Sequence, residues 1–181
     1  MNEKDITRTS KFLSLVLRHQ PGAADVQLDD AGWISVEKLL AGCARVMRPI
    51  SLAELEVVVA TNSKKRFEFS GDGRCIRASQ GHSVEVDLQY SPQEPPEVLY
   101  HGTAVRFLEG IRATGLQKMT RHHVHLSPET QMTLAVGARH GKPVLLTVLA
   151  GGMHRQGFTF YLSTNGVWLV EQVPVEFIQF P

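Results

Sequence analysis

The chain has 181 residues, of which 43% are hydrophobic and 20% are charged, and its formal net charge is +1. This composition is typical of a soluble globular protein with one large or two small domains. The apolar runs are too short for a membrane span, and the polar N-terminal stretch lacks the apolar core of a signal peptide. Because Cys43 and Cys75 form neither a CxxC pair nor a zinc spacing, the sequence predicts a reducing, cytoplasmic environment.

The first half of the chain reads as three helices followed by a β-hairpin. Apolar residues share one helix face over residues 8–18, and Ser35 is the predicted N-cap of a second helix. Ser51-x-x-Glu54 is a capping-box pattern that opens a third helix. Alternating residues on both sides of a Gly-containing turn predict a hairpin across residues 66–77. This order is that of a winged helix, a module that commonly binds nucleic acid, although a fold alone does not establish function.

A segment with three prolines divides the chain. Prolines at that density favour extended backbone, so the sequence predicts a domain at residues 1–88, a linker at 89–97 and a second domain at 98–181. The second domain is richer in predicted strands than the first. Its predicted strands are residues 98–101, 123–126, 144–149, 158–162 and 167–170, and its predicted helices are residues 104–113 and a stretch from 128 toward 137. The expected fold class is α+β with sheets that are mostly antiparallel.

Arginine and histidine occur together in three separate segments. These are Arg18–His19, residues 77–83, and Arg121 with the two histidines that follow it. The planar fork of arginine matches phosphate oxygens, and histidine changes its charge near neutral pH. A single such pair is usually a solvated surface charge. Three of them near glycines predict a site for a phosphorylated ligand.

Other motifs exclude some alternatives. The sequence contains no GxGxxG, no GxxxxGK[ST] and no GxSxG pattern, which argues against a dinucleotide-binding Rossmann site, a P-loop and a nucleophile elbow. His122, His123 and His125 could suggest a metal site, but no cysteine or acidic residue lies at a familiar ligand spacing. We therefore expect no metal.

Seven segments, taken in order, resemble one known family. They are SKFLS with LRH (10–19), DAGW (30–33), IRASQGHS (76–83), YHGT (100–103), RHHVHLS (121–127), VGARHG (136–141) and NGVWL (165–169). Across about residues 8–178 the chain closely resembles the RNA 2′-phosphotransferases, NAD-dependent enzymes that remove the splice-junction 2′-phosphate during tRNA processing. The resemblance implies a winged-helix N-terminal lobe and a C-terminal lobe of ADP-ribosyltransferase-like fold.

The resemblance also implies roles for particular residues. Arg18, His19, Arg77 and Arg121 match the catalytic Arg-His-Arg-Arg group of the family. His101 matches the histidine that holds the adenosine ribose of NAD, and His125 matches the position that packs on nicotinamide. The remaining positions implied for the NAD pocket are Gly102, Thr103, Ser127, Asn165 and Gly166.

The implied chemistry has two steps and uses no metal. The RNA 2′-phosphate displaces nicotinamide from NAD, and a ribose hydroxyl then attacks the phosphorus, which releases 2′-OH RNA and ADP-ribose 1″,2″-cyclic phosphate. Val167 falls where many ADP-ribosyltransferases place a glutamate, and a phosphate dianion needs no such base. The implied partner is a tRNA-like RNA with a 2′-phosphate, and a monomer suffices.

Two alternatives stay open from the sequence. The first is an ADP-ribosyltransferase that stops after the first step and caps a phosphorylated nucleic-acid end. The second is a winged-helix binder whose transferase lobe is inactive. The presence of Arg18, His19, Arg77 and Arg121 argues against the second alternative.

Overall fold

The chain folds as α+β, and every strand pair among the described residues is antiparallel, which confirms the predicted class. The structure, a computed structural model, describes residues 1–138 and 141–181. It contains two compact units, residues 1–89 and residues 90–181. Each unit has its own hydrophobic core. Within the described residues, no helix is both long enough and apolar enough to cross a membrane.

The first unit contains three helices and a three-stranded sheet. Its elements are α1 (Glu3–Arg18), β1 (Ile34–Ser35), α2 (Val36–Arg45), α3 (Leu52–Ala60), β2 (Phe67–Phe69) and β3 (Cys75–Ala78). The three predicted helices and the predicted hairpin are all present. Ser51 and Glu54 form the predicted capping box, in which each side chain accepts a hydrogen bond from the backbone of the other.

Helix α1 begins earlier than the sequence pattern predicts. The side chain of Asn2 accepts a hydrogen bond from the backbone N–H of Asp5, so Asn2 is the N-cap. At the other end, the carbonyl oxygen of Arg18 accepts bonds from the N–H groups of Ser83 (2.9 Å) and Val84 (3.2 Å). These bonds satisfy a carbonyl that the helix itself leaves without a partner. They also hold the segment after β3 against the end of α1.

Strand β3 lies in the middle of the sheet, between β1 and β2. Ile76 and Ala78 are buried in the core of the first unit. Because side chains alternate along a strand, Arg77 between them points to the opposite face. There it lies directly across from Glu68 on β2.

Within residues 90–138 and 141–181, the second unit has three helices and eight short strands. Its elements are β4 (Leu99–Ala104), α4 (Leu108–Thr114), β5 (Leu116–Gln117), β6 (Val124–Leu126), α5 (Thr130–Gly137), β7 (Pro143–Val148), α6 (Ala150–Arg155), β8 (Phe160–Leu162), β9 (Trp168–Val170), β10 (Gln172–Val173) and β11 (Ile178–Gln179). The strand orders are β11-β7-β4, β6-β9-β8 and β10-β5. The core lies among these sheets and includes Leu146, Phe160 and Trp168.

Strand β4 extends three residues beyond the predicted end at residue 101. It pairs with β7 along its whole length, from Leu99 to Ala104. Gly102 lies inside this strand, and a Cβ there would collide with the carbonyl oxygen of Thr133 in α5. The glycine therefore lets a helix backbone approach a strand closely.

The proline-rich segment predicted as a linker packs within the second unit. The N–H of Gln93 donates to the carbonyl oxygen of Phe160 at 2.9 Å, and Pro92 forms a bridge with Tyr161. Glu97 pairs with Arg155, whose Nη1 lies 2.6 Å from Oε1 of the carboxylate. The domain limits at residues 88 and 98 stay a prediction.

Candidate active-site residues

Arg18 and His19 lie at the C-terminal end of α1, beside the loop that follows β3. The Nδ1 of His19 lies 2.9 Å from the hydroxyl oxygen of Ser83. The Nη2 of Arg18 donates to the carbonyl oxygen of Arg66, 3.4 Å away. Arg18 is half-buried and His19 is exposed. The structure thus brings two predicted residues together with part of the Gly81-His82-Ser83 motif.

Arg66 is a candidate that the sequence analysis did not single out. Its carbonyl oxygen accepts bonds from Arg18 and from the N–H of Ser79 (2.9 Å). Its own Nη1 lies 3.5 Å from Oδ1 of Asn62. A half-buried arginine next to Arg18 suits phosphate binding. The sequence signal is weak, since Arg66 ends a Lys-Lys-Arg run that resembles an ordinary charged turn.

Arg77 is held in the sheet by several contacts. Its Nε lies 2.6 Å from the carboxylate of Glu68, and the two side chains are only 10% and 21% exposed. Its Nη1 donates to the carbonyl oxygens of Ala31 (3.4 Å) and Leu88 (3.2 Å). Its guanidinium carbon lies 4.4 Å from the ring centroid of Trp33. These contacts give Arg77 a structural function, and its role as a phosphate ligand stays a prediction.

Three predicted residues of the second unit form a chain of hydrogen bonds. The Nδ1 of His101 lies 3.0 Å from the carbonyl oxygen of His125. The Nη1 of Arg121 lies 3.2 Å from the Nδ1 of His125. A carbonyl oxygen can only accept, so His101 carries its proton on Nδ1 and presents Nε2 as an acceptor. A guanidinium can only donate, so Nδ1 of His125 is the acceptor and its proton is on Nε2.

Burial lowers the pKa of two histidines of this unit, which favours their neutral form. Burial lowers the pKa of His101 from its usual value, and the charge of Arg121 lowers it further, while the hydrogen bond to His125 opposes these effects. Burial also lowers the pKa of His123, and the charges of His122 and Lys118 act in the same direction. A neutral His101 can accept a hydrogen bond from a hydroxyl group.

The other residues predicted for an NAD pocket have local structural contacts. Thr103 is buried next to Gly102 in β4. Ser127 exchanges backbone hydrogen bonds with Tyr100, and its hydroxyl accepts from the N–H of Glu129. Asn165 and Gly166 form the turn between β8 and β9. There Gly166 has a φ of +78°, and Asn165 accepts from the hydroxyl of Ser163 at 2.8 Å.

Gly166 is the predicted pocket glycine with open space around it. A Cβ built on Gly166 would meet no atom of the described residues within 4 Å, whereas one on Gly102 would collide with α5. Within residues 1–138 and 141–181, no three His, Cys, Asp or Glu side chains are placed to hold a metal ion. Arg139 and His140, which belong to one of the segments that carry the resemblance, lie outside the described residues.

Comparison with known proteins defines the class. Residues 4–172 match the family described as "RNA 2′-phosphotransferase, Tpt1 / KptA family". Three similar proteins are each named "Probable RNA 2′-phosphotransferase". The protein of Nostoc punctiforme is 50% identical over 179 residues, which are 99% of each chain. The protein of Burkholderia lata is 54% identical over 176 residues, 97% of this chain and 91% of that one. The protein of Pseudomonas aeruginosa is 53% identical over 180 residues, 99% of each chain.

Matches of this extent define the chain as a transferase. It belongs to the RNA 2′-phosphotransferase, Tpt1/KptA family, as the resemblance predicted.

Proposed function

We propose that the protein removes an internal 2′-phosphate from RNA by transferring it to NAD. The products are RNA with a 2′-hydroxyl, nicotinamide and ADP-ribose 1″,2″-cyclic phosphate, formed through a 2′-phospho-ADP-ribosylated RNA. The observation that carries this proposal is the family match over residues 4–172. The hydrogen-bonded groups around Arg18 and around His101 support it, because they offer a phosphate-binding set and a hydroxyl-binding set.

In the first unit, Arg18, His19 and Arg66 would bind the 2′-phosphate. Two guanidinium groups supply permanent positive charge and donors in fixed directions, which is what a phosphate dianion requires. His19 can donate a hydrogen bond to the phosphate or a proton to the departing RNA oxygen. The hydroxyl of Ser83 holds its Nδ1, so the opposite nitrogen, Nε2, is the one for this purpose.

In the second unit, the hydrogen-bonding groups fit NAD. A neutral His101 with its proton on Nδ1 has Nε2 as an acceptor for a ribose hydroxyl. The open space at Gly166 leaves room for a ligand beside the Asn165 turn. When bound, NAD supplies an anomeric carbon with a good leaving group. His125 would contact the nicotinamide, and Gly102, Thr103 and Ser127 would shape the pocket around the bound nucleotide.

The chemistry needs no general base for its first step. A phosphate monoester is largely a dianion near pH 7, so it is already a nucleophile. It attacks the anomeric carbon of the nicotinamide ribose, and nicotinamide leaves with the bonding electron pair. Val167 falls where many ADP-ribosyltransferases place a glutamate, and its uncharged side chain would not repel that phosphate nucleophile.

The second step is a phosphoryl transfer. The neighbouring ribose hydroxyl attacks phosphorus, the bond from phosphorus to the RNA 2′-oxygen breaks, and a proton moves to that oxygen. Positive charge that is already in place stabilises such a transition state. Arg18, Arg66 and Arg121 are proposed for this role, with Arg77 as the further arginine that the resemblance implies. No metal is proposed.

We further propose the finer features of the family for this chain. The order of helices and hairpin in the first unit supports a winged-helix lobe, and the short antiparallel sheets of the second unit support an ADP-ribosyltransferase-like lobe. The proposed RNA is tRNA-like, as in tRNA splicing. The protein would act as a cytoplasmic monomer.

A product analysis tests the proposal. RNA with one internal 2′-phosphate is incubated with NAD, and nicotinamide, RNA products and ADP-ribose products are quantified together. We expect one nicotinamide and one cyclic-phosphate product for each phosphate lost. An ADP-ribosylated RNA that persists without release of 2′-OH RNA would instead establish the capping activity described above.

A further inference from the structure

An open groove lies along α1 in the first unit, and its lining includes none of the residues assigned so far. Its volume is about 640 Å³, and its lining includes the basic residues Lys4, Arg8, Lys11 and Arg48. All four are exposed. Nothing in the proposed chemistry uses this groove.

The groove concentrates positive charge on a protein that is almost neutral overall. Four of its lining residues are cationic and one, Glu3, is acidic, whereas the whole chain has a net charge of only +1. Arg8 pairs with Asp5 at 2.8 Å. In the part of the chain that the structure describes, Lys4, Lys11 and Arg48 form no ion pair. Such a local basic patch attracts a polyanion.

The helix directs this charge toward the candidate phosphate site. Lys4, Lys11 and Arg18 are spaced seven residues apart, and residues at that spacing lie on nearly the same helix face. Fourteen residues of α-helix extend about 21 Å at ~1.5 Å per residue. This basic face of α1 therefore runs from Lys4 to Arg18. Arg18 in turn lies next to His19 and Arg66.

The groove also offers surfaces for bases. The guanidinium of Arg48 lies 4.7 Å from the ring centroid of Phe12 and covers one face of that ring. The outer face of a guanidinium plane is a stacking surface for an unpaired base. Leu15, 37% exposed, adds an apolar contact between the charges.

We propose that this groove binds the single-stranded stretch of substrate RNA adjacent to the nucleotide that carries the 2′-phosphate. Lys4 and Lys11 contact backbone phosphates, and Arg48 stacks on a base. This assignment rests on the proposed function for the identity of the substrate. It adds a binding surface that selects longer RNA over a minimal phosphorylated nucleotide.

Direct binding tests the groove without reference to turnover. The probe is an unmodified single-stranded RNA oligonucleotide, followed by fluorescence anisotropy over a range of salt concentrations. The variant Lys4→Gln/Lys11→Gln is compared with Lys38→Gln/Arg45→Gln, which removes the same charge from exposed positions on α2, where Arg45 pairs with Asp25 at 2.7 Å. Glutamine has a helix propensity close to that of lysine, so both variants should fold.

Each lost phosphate contact should lower the magnitude of the slope of log K, the association constant for RNA, against log salt concentration by about 0.7. At 0.1 M salt this corresponds to a loss of about fivefold in affinity. We expect the α1 variant to bind about 25-fold more weakly than wild type, with a slope smaller by about 1.4, while the α2 variant matches wild type.

Equal affinity of the α1 variant and wild type would overturn the proposal. Equal losses in both variants would also overturn it, because they would indicate diffuse attraction. Preference for polyglutamate over RNA, lost in the α1 variant, would reassign the groove to an acidic protein.

Turnover separates this proposal from the proposed function. The α1 variant should raise KM for a 2′-phosphorylated oligonucleotide at least tenfold and leave kcat unchanged, and it should process a 2′-phosphorylated dinucleotide like wild type. If wild type processes neither substrate, the proposed function fails and the anisotropy result still decides the groove. If KM for the oligonucleotide does not change, the groove proposal fails and the proposed function stands.

Discussion

The Glu68–Arg77 pair gives the sharpest test of what Arg77 does. The pair is mostly buried, with a 2.6 Å contact, and Arg77 also donates to two backbone carbonyls and covers Trp33. Removing one partner of a fully buried pair costs about 3–5 kcal/mol, because the other charge is left without compensation. Since these side chains keep some exposure, we expect about 3 kcal/mol for Arg77→Ala and about 2 kcal/mol for Glu68→Ala.

A double-mutant cycle measures the interaction itself. The double variant should lose less than the sum of the single losses, by about 2 kcal/mol, because neither charge is then left unpaired. Urea unfolding can be followed by the fluorescence of Trp33 in a Trp168→Phe background, because the chain has only two tryptophans. The signal then reports on the first unit.

The same variants separate a structural function from phosphate binding. If Arg77 is structural, Glu68→Ala/Arg77→Ala should retain turnover within about tenfold under conditions in which it is fully folded. A coupling below about 0.5 kcal/mol, together with a rate loss of about 10²-fold or more, would contradict a structural function for Arg77. Arg77 would then be the phosphate ligand that the resemblance implies.

Four further outcomes are expected. Arg18→Ala or Arg66→Ala should lower kcat/KM for 2′-phosphorylated RNA by about 10²-fold or more, with only partial rescue by lysine; turnover near wild type in both would remove them from the site. His19→Ala should slow the second step by roughly 10²–10⁴-fold and let ADP-ribosylated RNA accumulate on a gel; lost substrate consumption without that species would remove the acid role. Burial holds the pKa of His101 in the folded chain below 6.5, so the imidazole of the unfolded chain is protonated first as the pH drops. The free energy of unfolding should therefore fall as the pH drops below about 6.5; an identical dependence of unfolding free energy on pH in His101→Gln would contradict this. Excess EDTA should leave activity unchanged, and a loss reversed by zinc or magnesium would contradict the metal-free mechanism.

Local sequence signals predicted much of the first unit. The capping box of Ser51 and Glu54 and the hairpin after it depend on neighbours within a few residues, and the structure has both. The first turn of α1 was missed because its residues are polar and the apolar pattern starts only later. In that turn, the sequence feature that marks the start of the helix is the N-cap residue Asn2.

The ends of strands in the second unit depend on distant partners. Strand β4 continues to Ala104 because β7, some forty residues later, supplies hydrogen-bonding partners along its whole length. The two-residue strands β5, β10 and β11 carry too few residues for an alternating pattern. Such elements follow from tertiary pairing and not from propensity.

The residues of the candidate site also differ in whether local sequence or only the fold reveals them. Arg18 and His19 are recognisable as an adjacent pair at a helix end, and they carry the resemblance. Arg66 is 48 residues away from Arg18, and only the fold brings its carbonyl oxygen to that guanidinium. Conversely, Arg77 belongs to a conspicuous motif, but its partner Glu68 is identified only by the register of the hairpin.

We propose that the RNA 2′-phosphate itself moves to the NAD ribose. The most direct measurement uses RNA labelled with ³²P only at one internal 2′-phosphate, incubated with and without NAD. We expect all label to leave the RNA only when NAD is present and to be recovered in ADP-ribose 1″,2″-cyclic phosphate. Label recovered as inorganic phosphate, or released equally without NAD, would contradict it.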